Sequence, residues 1–181
     1  MSAKIITIAI EKGGTGKTVT ASNLAYLMGD EGKKVLCVDT DPQGNLTKAL
    51  SGGLSITSDE FYGKALYNLF DGFLYHSKTR DFIVETQYEN VDMIPCDAQT
   101  PRINKRIELL IGDAERLKDG DPRKVSGMGD FLCYFLNQVR DDYDYILIDT
   151  QPTRDSLLLS NAIYAADYIL IPAGCEDNSE E

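Results

Sequence analysis

Basic residues are the scarce charge in this chain: 18 lysines and arginines stand against 29 aspartates and glutamates, leaving a net charge of −11. A chain this acidic gains nothing from general attraction to DNA, RNA or anionic lipid, so contact with any of them needs a local basic patch. Lysine and arginine stop at Arg154, while Asp155, Asp167, Glu176, Asp177, Glu180 and Glu181 follow, so the end of the chain is its most negative part. The cysteines, Cys37, Cys96, Cys133 and Cys175, form no C-x-x-C pair and keep no regular interval. Neither a zinc site nor a disulfide framework follows from them, and reduced thiols are expected. The single histidine, His76, lies in a polar stretch and is expected to be exposed and incidental. No 18-residue apolar run occurs, and Met1-Ser2-Ala3-Lys4 leads into the first apolar run without a signal-peptide h-region. A soluble, cytoplasmic protein without membrane contact is the expectation.

What is present is ordinary globular composition, 43% hydrophobic and 26% charged in 181 residues, which suits one domain and excludes a disordered or collagenous chain. Ile5, Ile6, Ile8 and Ile10 form a β-branched run apolar on both sides, the mark of a buried parallel strand. A glycine-rich turn follows, then Val19, Ala21, Leu24, Ala25, Leu27 and Met28 recur at helical spacing until Gly32. Val35 to Val38 make a second buried strand ending at Asp39. Strand, helix and strand form a βαβ unit, whose ligands gather at the carboxyl ends of the strands.

Beyond it, residues 51–60 read as a loop, Ala65 to Phe70 as a short helix stopped near Gly72, and Val91 to Ile94 as a strand. Thr100-Pro101 opens a helix that turns Ile103, Ile107, Leu110 and Ile111 inward. Residues 112–127, rich in glycine, are expected to be a mobile surface loop. An amphipathic helix over 128–139 precedes the strand Tyr145 to Asp149, a helix over 157–165 and a last strand over 168–171. Arg102, Lys105 and Arg106 read as a solvated helix face, since Glu108, Asp113 and Glu115 follow closely. The whole predicts an α/β fold, a mainly parallel β-sheet flanked by helices, in a single domain over 1–181.

Chemistry concentrates in Glu11-Lys12-Gly13-Gly14-Thr15-Gly16-Lys17-Thr18, between the first strand and the first helix. Glycines let backbone N–H groups converge on phosphate oxygens, and the helix N-terminus adds partial positive charge. Lys17 can reach the β- and γ-phosphates, and the Thr18 hydroxyl can ligate Mg²⁺. The plain G-x-x-x-x-G-K-[ST] pattern is not met, because Glu11 stands where its first glycine belongs; the variant K-G-G-x-G-K-[ST] is met, with the extra Lys12.

That variant resembles the deviant Walker A motif of the ParA/Soj/MinD ATPases. Asp39-Thr40-Asp41-Pro42-Gln43-Gly44-Asn45 is similar to the second motif of the ParA/Soj branch, and Tyr143 to Thr150 resembles the Walker B strand. The resemblance covers essentially the whole chain and implies a P-loop NTPase fold. Carried onto these positions, it implies that Gly13, Gly14, Thr15, Gly16, Lys17, Thr18 and Val19 bind the phosphates of ATP. Thr18, Asp39 and Asp149 would surround Mg²⁺, and Asp41 would position the attacking water. Lys12 would reach across an ATP-dependent homodimer to the partner's phosphates, as an arginine finger does. A Mg²⁺-dependent ATPase of plasmid or chromosome partitioning, stimulated by a ParB-like protein, is the implied function. The alternatives are a nucleotide-dependent binding switch with little turnover and a small-molecule ligase of the dethiobiotin-synthetase type.

Membrane ATPases of the MinD type lack the D-P-Q-G-N segment, and nitrogenase-type iron proteins carry a cluster cysteine after the Walker B strand, whereas Cys133 precedes it. Two departures stand out. Gln151 occupies the first of two positions where partition proteins usually have proline, close to the expected metal site. The chain is also short for the family, whose members continue past the strand at 168–171 with base contacts and basic residues for DNA. A C-terminally shortened domain is therefore expected, with non-specific DNA binding only if a basic surface is supplied outside this chain.

Overall fold

The apolar runs become strands of one sheet. The computed structural model describes residues 2–121, 123–153 and 156–173; Asp155, Cys175 and the acidic residues from Glu176 to Glu181 lie outside them. In chain order the strands are β1 (Lys4–Ile8), β2 (Val35–Asp39), β3 (Val84–Glu85), β4 (Val91–Ile94), β5 (Tyr145–Asp149) and β6 (Tyr168–Leu170). The helices are α1 (Lys17–Asp30), α2 (Asn45–Leu50), α3 (Leu66–Asp71), α4 (Ile103–Glu115), α5 (Phe131–Asn137) and α6 (Leu157–Ala165). The sheet has the order β3-β4-β2-β5-β1-β6, parallel except for β3 against β4.

This order places β1 and β5 side by side although α1 carries the chain from β1 over β5 to β2, and α6 carries it from β5 over β1 to β6. Crossovers leaving in opposite directions put their helices on opposite faces when both are right-handed. The packing divides accordingly. On one side Ala21 and Ala25 of α1 and Leu46 and Leu50 of α2 bury Val35, Cys37, Met93 and Leu147. On the other, α3, α4, α5 and α6 cover Ile5, Leu36, Val38, Ile146 and Ile148. Every residue of β2 is buried, as its unbroken apolar run requires in a strand covered on both faces. Ring pairs Phe70–Phe135 and Phe73–Phe131, with centroids 5.5 and 5.0 Å apart in edge-to-face geometry, join α3 and the turn after it to α5. Buried Asn161 of α6 accepts from the amide of Leu132 (3.0 Å) and donates to the carbonyls of Met128 (2.6 Å) and Leu157 (2.8 Å), locking α5 onto α6.

Several expectations need correction. β1 ends at Ile8, not Ile10, because the chain turns there into the glycine loop. α4 continues to Glu115 through Gly112, since burial of Leu110 and Ala114 outweighs glycine's cost of about 1 kcal/mol in a helix. Within 112–127, Arg123, 9% exposed, pairs with Asp121 at 2.8 Å and donates to the Leu74 carbonyl at 3.3 Å. α5 starts at Phe131 and stops at Asn137, three residues later and two earlier than the apolar pattern suggests. Arg102 and Lys105 are solvated as expected, but Arg106 turns back to Asp71 at 3.0 Å. His76 is exposed, with a left-handed φ of 56°. The helix α2 and the strand β3 were not predicted.

Candidate functional site

The loop between β1 and α1 is shaped by two glycines in left-handed conformation, Gly14 (φ 74°) and Gly16 (φ 83°). A Cβ at either would meet nothing within 4 Å, so backbone conformation, and not space, calls for glycine there. Gly16 caps α1 without any side-chain hydrogen bond, and the first turn of the helix holds no acidic residue. The early amides, those of Thr18 and Val19 among them, therefore keep the unsatisfied donors and positive dipole that favour an anion. Val19's side chain is 62% exposed and points away from the core, so its share in the site is its backbone. Lys17 is only 7% exposed; its ammonium donates to the carbonyls of Ile10 (3.1 Å) and Lys12 (3.4 Å). The charge thus sits within the loop, where a phosphate oxygen could replace either carbonyl. Lys12 is exposed, and its carbonyl also accepts from the Thr15 hydroxyl at 3.2 Å.

Sheet register brings the acidic residues to this loop. Asp149 is the register partner of Ile8 on one side and of Asp39 on the other. Two threonines stitch the strand ends: Thr40 donates through its hydroxyl (2.7 Å) and its amide (3.0 Å) to the Asp149 carbonyl and Thr150 to Ile8 (2.9 Å), while Thr7 ties β1 to α6 by donating to Ala162 (2.7 Å). Asp149 is fully buried and receives the Thr18 hydroxyl on Oδ2 at 2.7 Å, while Oδ1 is buried without a hydrogen-bond partner. Burial pushes the Asp149 carboxyl up to about 7; the Thr18 hydrogen bond opposes this, the charges of Asp39 and Asp41 add to it, and Lys17 pulls it down. An unpaired carboxylate oxygen beside a hydroxyl, next to an anion cradle, is a hard-oxygen donor set that suits Mg²⁺. That ion takes one or two protein ligands and fills the rest of its octahedron with phosphate and water. Thr18 and Asp149 could hold such an ion.

Asp39 faces a different set of donors. Its Oδ1 accepts from the Asp41 amide (3.1 Å), and its Oδ2 from the Thr47 amide (2.8 Å) and hydroxyl (2.7 Å). Burial pushes this carboxyl up to about 6 against those hydrogen bonds. Asp39 therefore lies beside Asp149 but is turned toward the start of α2. Asp41, 8% exposed, caps its own turn by accepting from the Gln43 amide at 2.9 Å. Gln151, two residues after Asp149, donates to Ser156 at the start of α6 (3.0 Å). The sequence reading passed over Thr40, Thr47 and Thr150; the available signal was a run of hydroxyls beside the strand-terminal aspartates.

Among the described residues no helix is long and apolar enough to cross a membrane. The sequence matches the AAA domain family over residues 3–181. It is 35% identical over 173 residues to the sporulation initiation inhibitor protein Soj of Bacillus subtilis, covering 96% of this chain and 59% of Soj. It is 30% identical over 175 residues to the chromosome partitioning protein ParA of Caulobacter vibrioides, covering 96% of this chain and 57% of ParA. The chain thus spans about three-fifths of the length of these curated relatives. Among solved structures, a variant of Cyanothece McdA in complex with ATP superimposes with a TM-score of 0.74 at 28% identity, over 95% of this chain and 56% of McdA. A deviant Walker A loop, a D-x-D-P-Q-G-N segment and a Walker B strand meeting at the carboxyl end of a mainly parallel sheet agree with these matches, and the chain belongs to the AAA domain family, on its ParA/Soj branch.

Proposed function

We propose that this chain binds and hydrolyses ATP with Mg²⁺ as a ParA-like partition ATPase of the cytoplasm, acting as a nucleotide-sandwich homodimer and stimulated by a ParB-like protein. The observation that carries the reading is the 2.7 Å bond from Thr18 to Asp149, which joins the phosphate loop to the tip of β5 and leaves one buried carboxylate oxygen unpaired. The amides of Gly13, Gly14, Thr15, Gly16, Lys17, Thr18 and Val19 hold the phosphates, and Lys17 exchanges its carbonyl partners for phosphate oxygens. Thr18 and Asp149 would hold Mg²⁺, with Asp39 beside Asp149 and turned toward α2; the ion would supply neutralisation of phosphate charge. Asp41 orients the attacking water, and Lys12 of one protomer faces the other's phosphates.

Measured ATP turnover for wild type, Lys17→Ala and Asp41→Ala, with the mass in ATP by light scattering, tests this. Turnover abolished by either change, together with a dimeric mass in ATP, supports the reading. Tight ATP binding without turnover would replace it by a binding switch, and turnover only with an added small-molecule acceptor by a ligase.

A further inference from the structure

Thr47 is fully buried in the first turn of α2, and its hydroxyl and amide link three elements. Its hydroxyl donates to Asp39 at the end of β2 (2.7 Å) and accepts from the Cys96 amide just past β4 (3.0 Å), while its own amide donates to the same Asp39 oxygen (2.8 Å). The other Asp39 oxygen accepts from the Asp41 amide at 3.1 Å. The Asp39 carboxylate is thus a rigid bridge with Thr47 on one side and the backbone of Asp41 on the other. The chain beyond is equally confined. Gly44 donates to the Asp41 carbonyl (2.9 Å), and a Cβ on it would lie 2.9 Å from Cys96 Sγ and 2.0 Å from Ile56.

We infer that Thr47 is the positioning residue of the site, fixing through Asp39 the place of Asp41 and the 39–44 loop. The inference rests on the proposed ATPase reading, which assigns water orientation to Asp41. Threonine suits the task because one hydroxyl must donate and accept at once. Valine keeps the shape but does neither, leaving the Cys96 amide unpaired and the buried Asp39 oxygen one donor short. Serine keeps both bonds and loses only a methyl group.

Thr47→Val and Thr47→Ser are compared with wild type by kcat and KM for ATP, ADP binding by calorimetry, and amide hydrogen exchange without nucleotide. Thr47→Val should lower kcat by about tenfold or more while KM and ADP affinity stay within about threefold, because the phosphate loop is untouched and catalysis is sensitive to small displacements. Its Asp41 and Cys96 amides should exchange faster, and Thr47→Ser should restore kcat to within about threefold. The inference is overturned if Thr47→Val keeps the wild-type kcat, or if Thr47→Ser loses as much as Thr47→Val. Should Thr47→Val not fold, Thr47→Cys, a weaker donor of similar size, replaces it, and wild-type kcat there is equally fatal. A wild type without turnover sinks the ATPase reading instead; Thr47 is then judged on exchange, and unchanged protection at Asp41 in Thr47→Val rejects it.

Discussion

Replacing Asp149 by asparagine should stabilise the nucleotide-free protein in neutral and alkaline solution while destroying its response to Mg²⁺ and ATP. Asparagine preserves the shape, and its carbonyl can still accept from Thr18, so the change isolates the charge. In the native state burial holds the Asp149 carboxyl at about 7, whereas in an unfolded chain it titrates near 3.9. A raised native pKa means that the folded state keeps the proton longer than the unfolded state. The penalty is therefore absent below about pH 4, grows as the unfolded carboxyl ionises, and is complete once the pH has risen through about 7. At 1.36 kcal/mol per pK unit its full size approaches roughly 4 kcal/mol, and we expect roughly 2–4 kcal/mol after local relaxation. Urea denaturation of both proteins without nucleotide, in chelator and at fixed ionic strength, should show the advantage of Asp149→Asn widening by that amount between pH 4 and pH 8. Adding Mg²⁺ and ATP should then stabilise the wild type by mass action and leave the variant unmoved. An advantage that stays flat or narrows with pH would refute the claim that this carboxylate is held in the folded protein at a cost which a cation relieves.

Gly44→Ala combines a left-handed φ of 64° with a Cβ placed only 2.0 Å from Ile56 Cγ2; a loss of about 2–4 kcal/mol by chemical denaturation is expected, and one below about 1 kcal/mol would show that Ile56 yields freely. Lys12→Ala should bind ATP to within about threefold of wild type yet hydrolyse it at least about tenfold more slowly, and stay monomeric by light scattering. An ATP dimer of undiminished activity would remove Lys12 from the cross-dimer role. Asn161→Leu strands the amide of Leu132 and the carbonyl of Met128, and should cost about 2–4 kcal/mol by chemical denaturation. No measurable loss would mean that those groups find other partners.

The parallel strands and the long helices were legible because burial on two faces, or along one stripe, leaves a periodic trace in the residues themselves. Two short elements, α2 and β3, left none. The six residues of α2 are held by the bond of Thr47 to Asp39, and β3 exists only as two residues laid antiparallel on β4. Arg123, in a segment of loop composition, donates to the Leu74 carbonyl, and a bond across 49 residues has no local signature. Arg106 went astray for the same reason: its partner, Asp71, is visible only once α3 and α4 are packed, and the bond of Gln151 to Ser156 likewise has no local signature.

By itself, the sequence determined the phosphate loop, its helix and the acidic ends of two strands, because glycines, a following amphipathic stripe and apolar runs are each local demands on the chain. The division of labour among the carboxylates was decided by tertiary structure alone. Asp39 and Asp149 both end buried strands and sit in register. What separates them is that Thr47 and the Asp41 amide fill the oxygens of one, while Thr18 reaches only one oxygen of the other and leaves the second bare. Donors contributed from α1, α2 and the loop after β2 meet those carboxylates only when the sheet order has brought β1, β2 and β5 together.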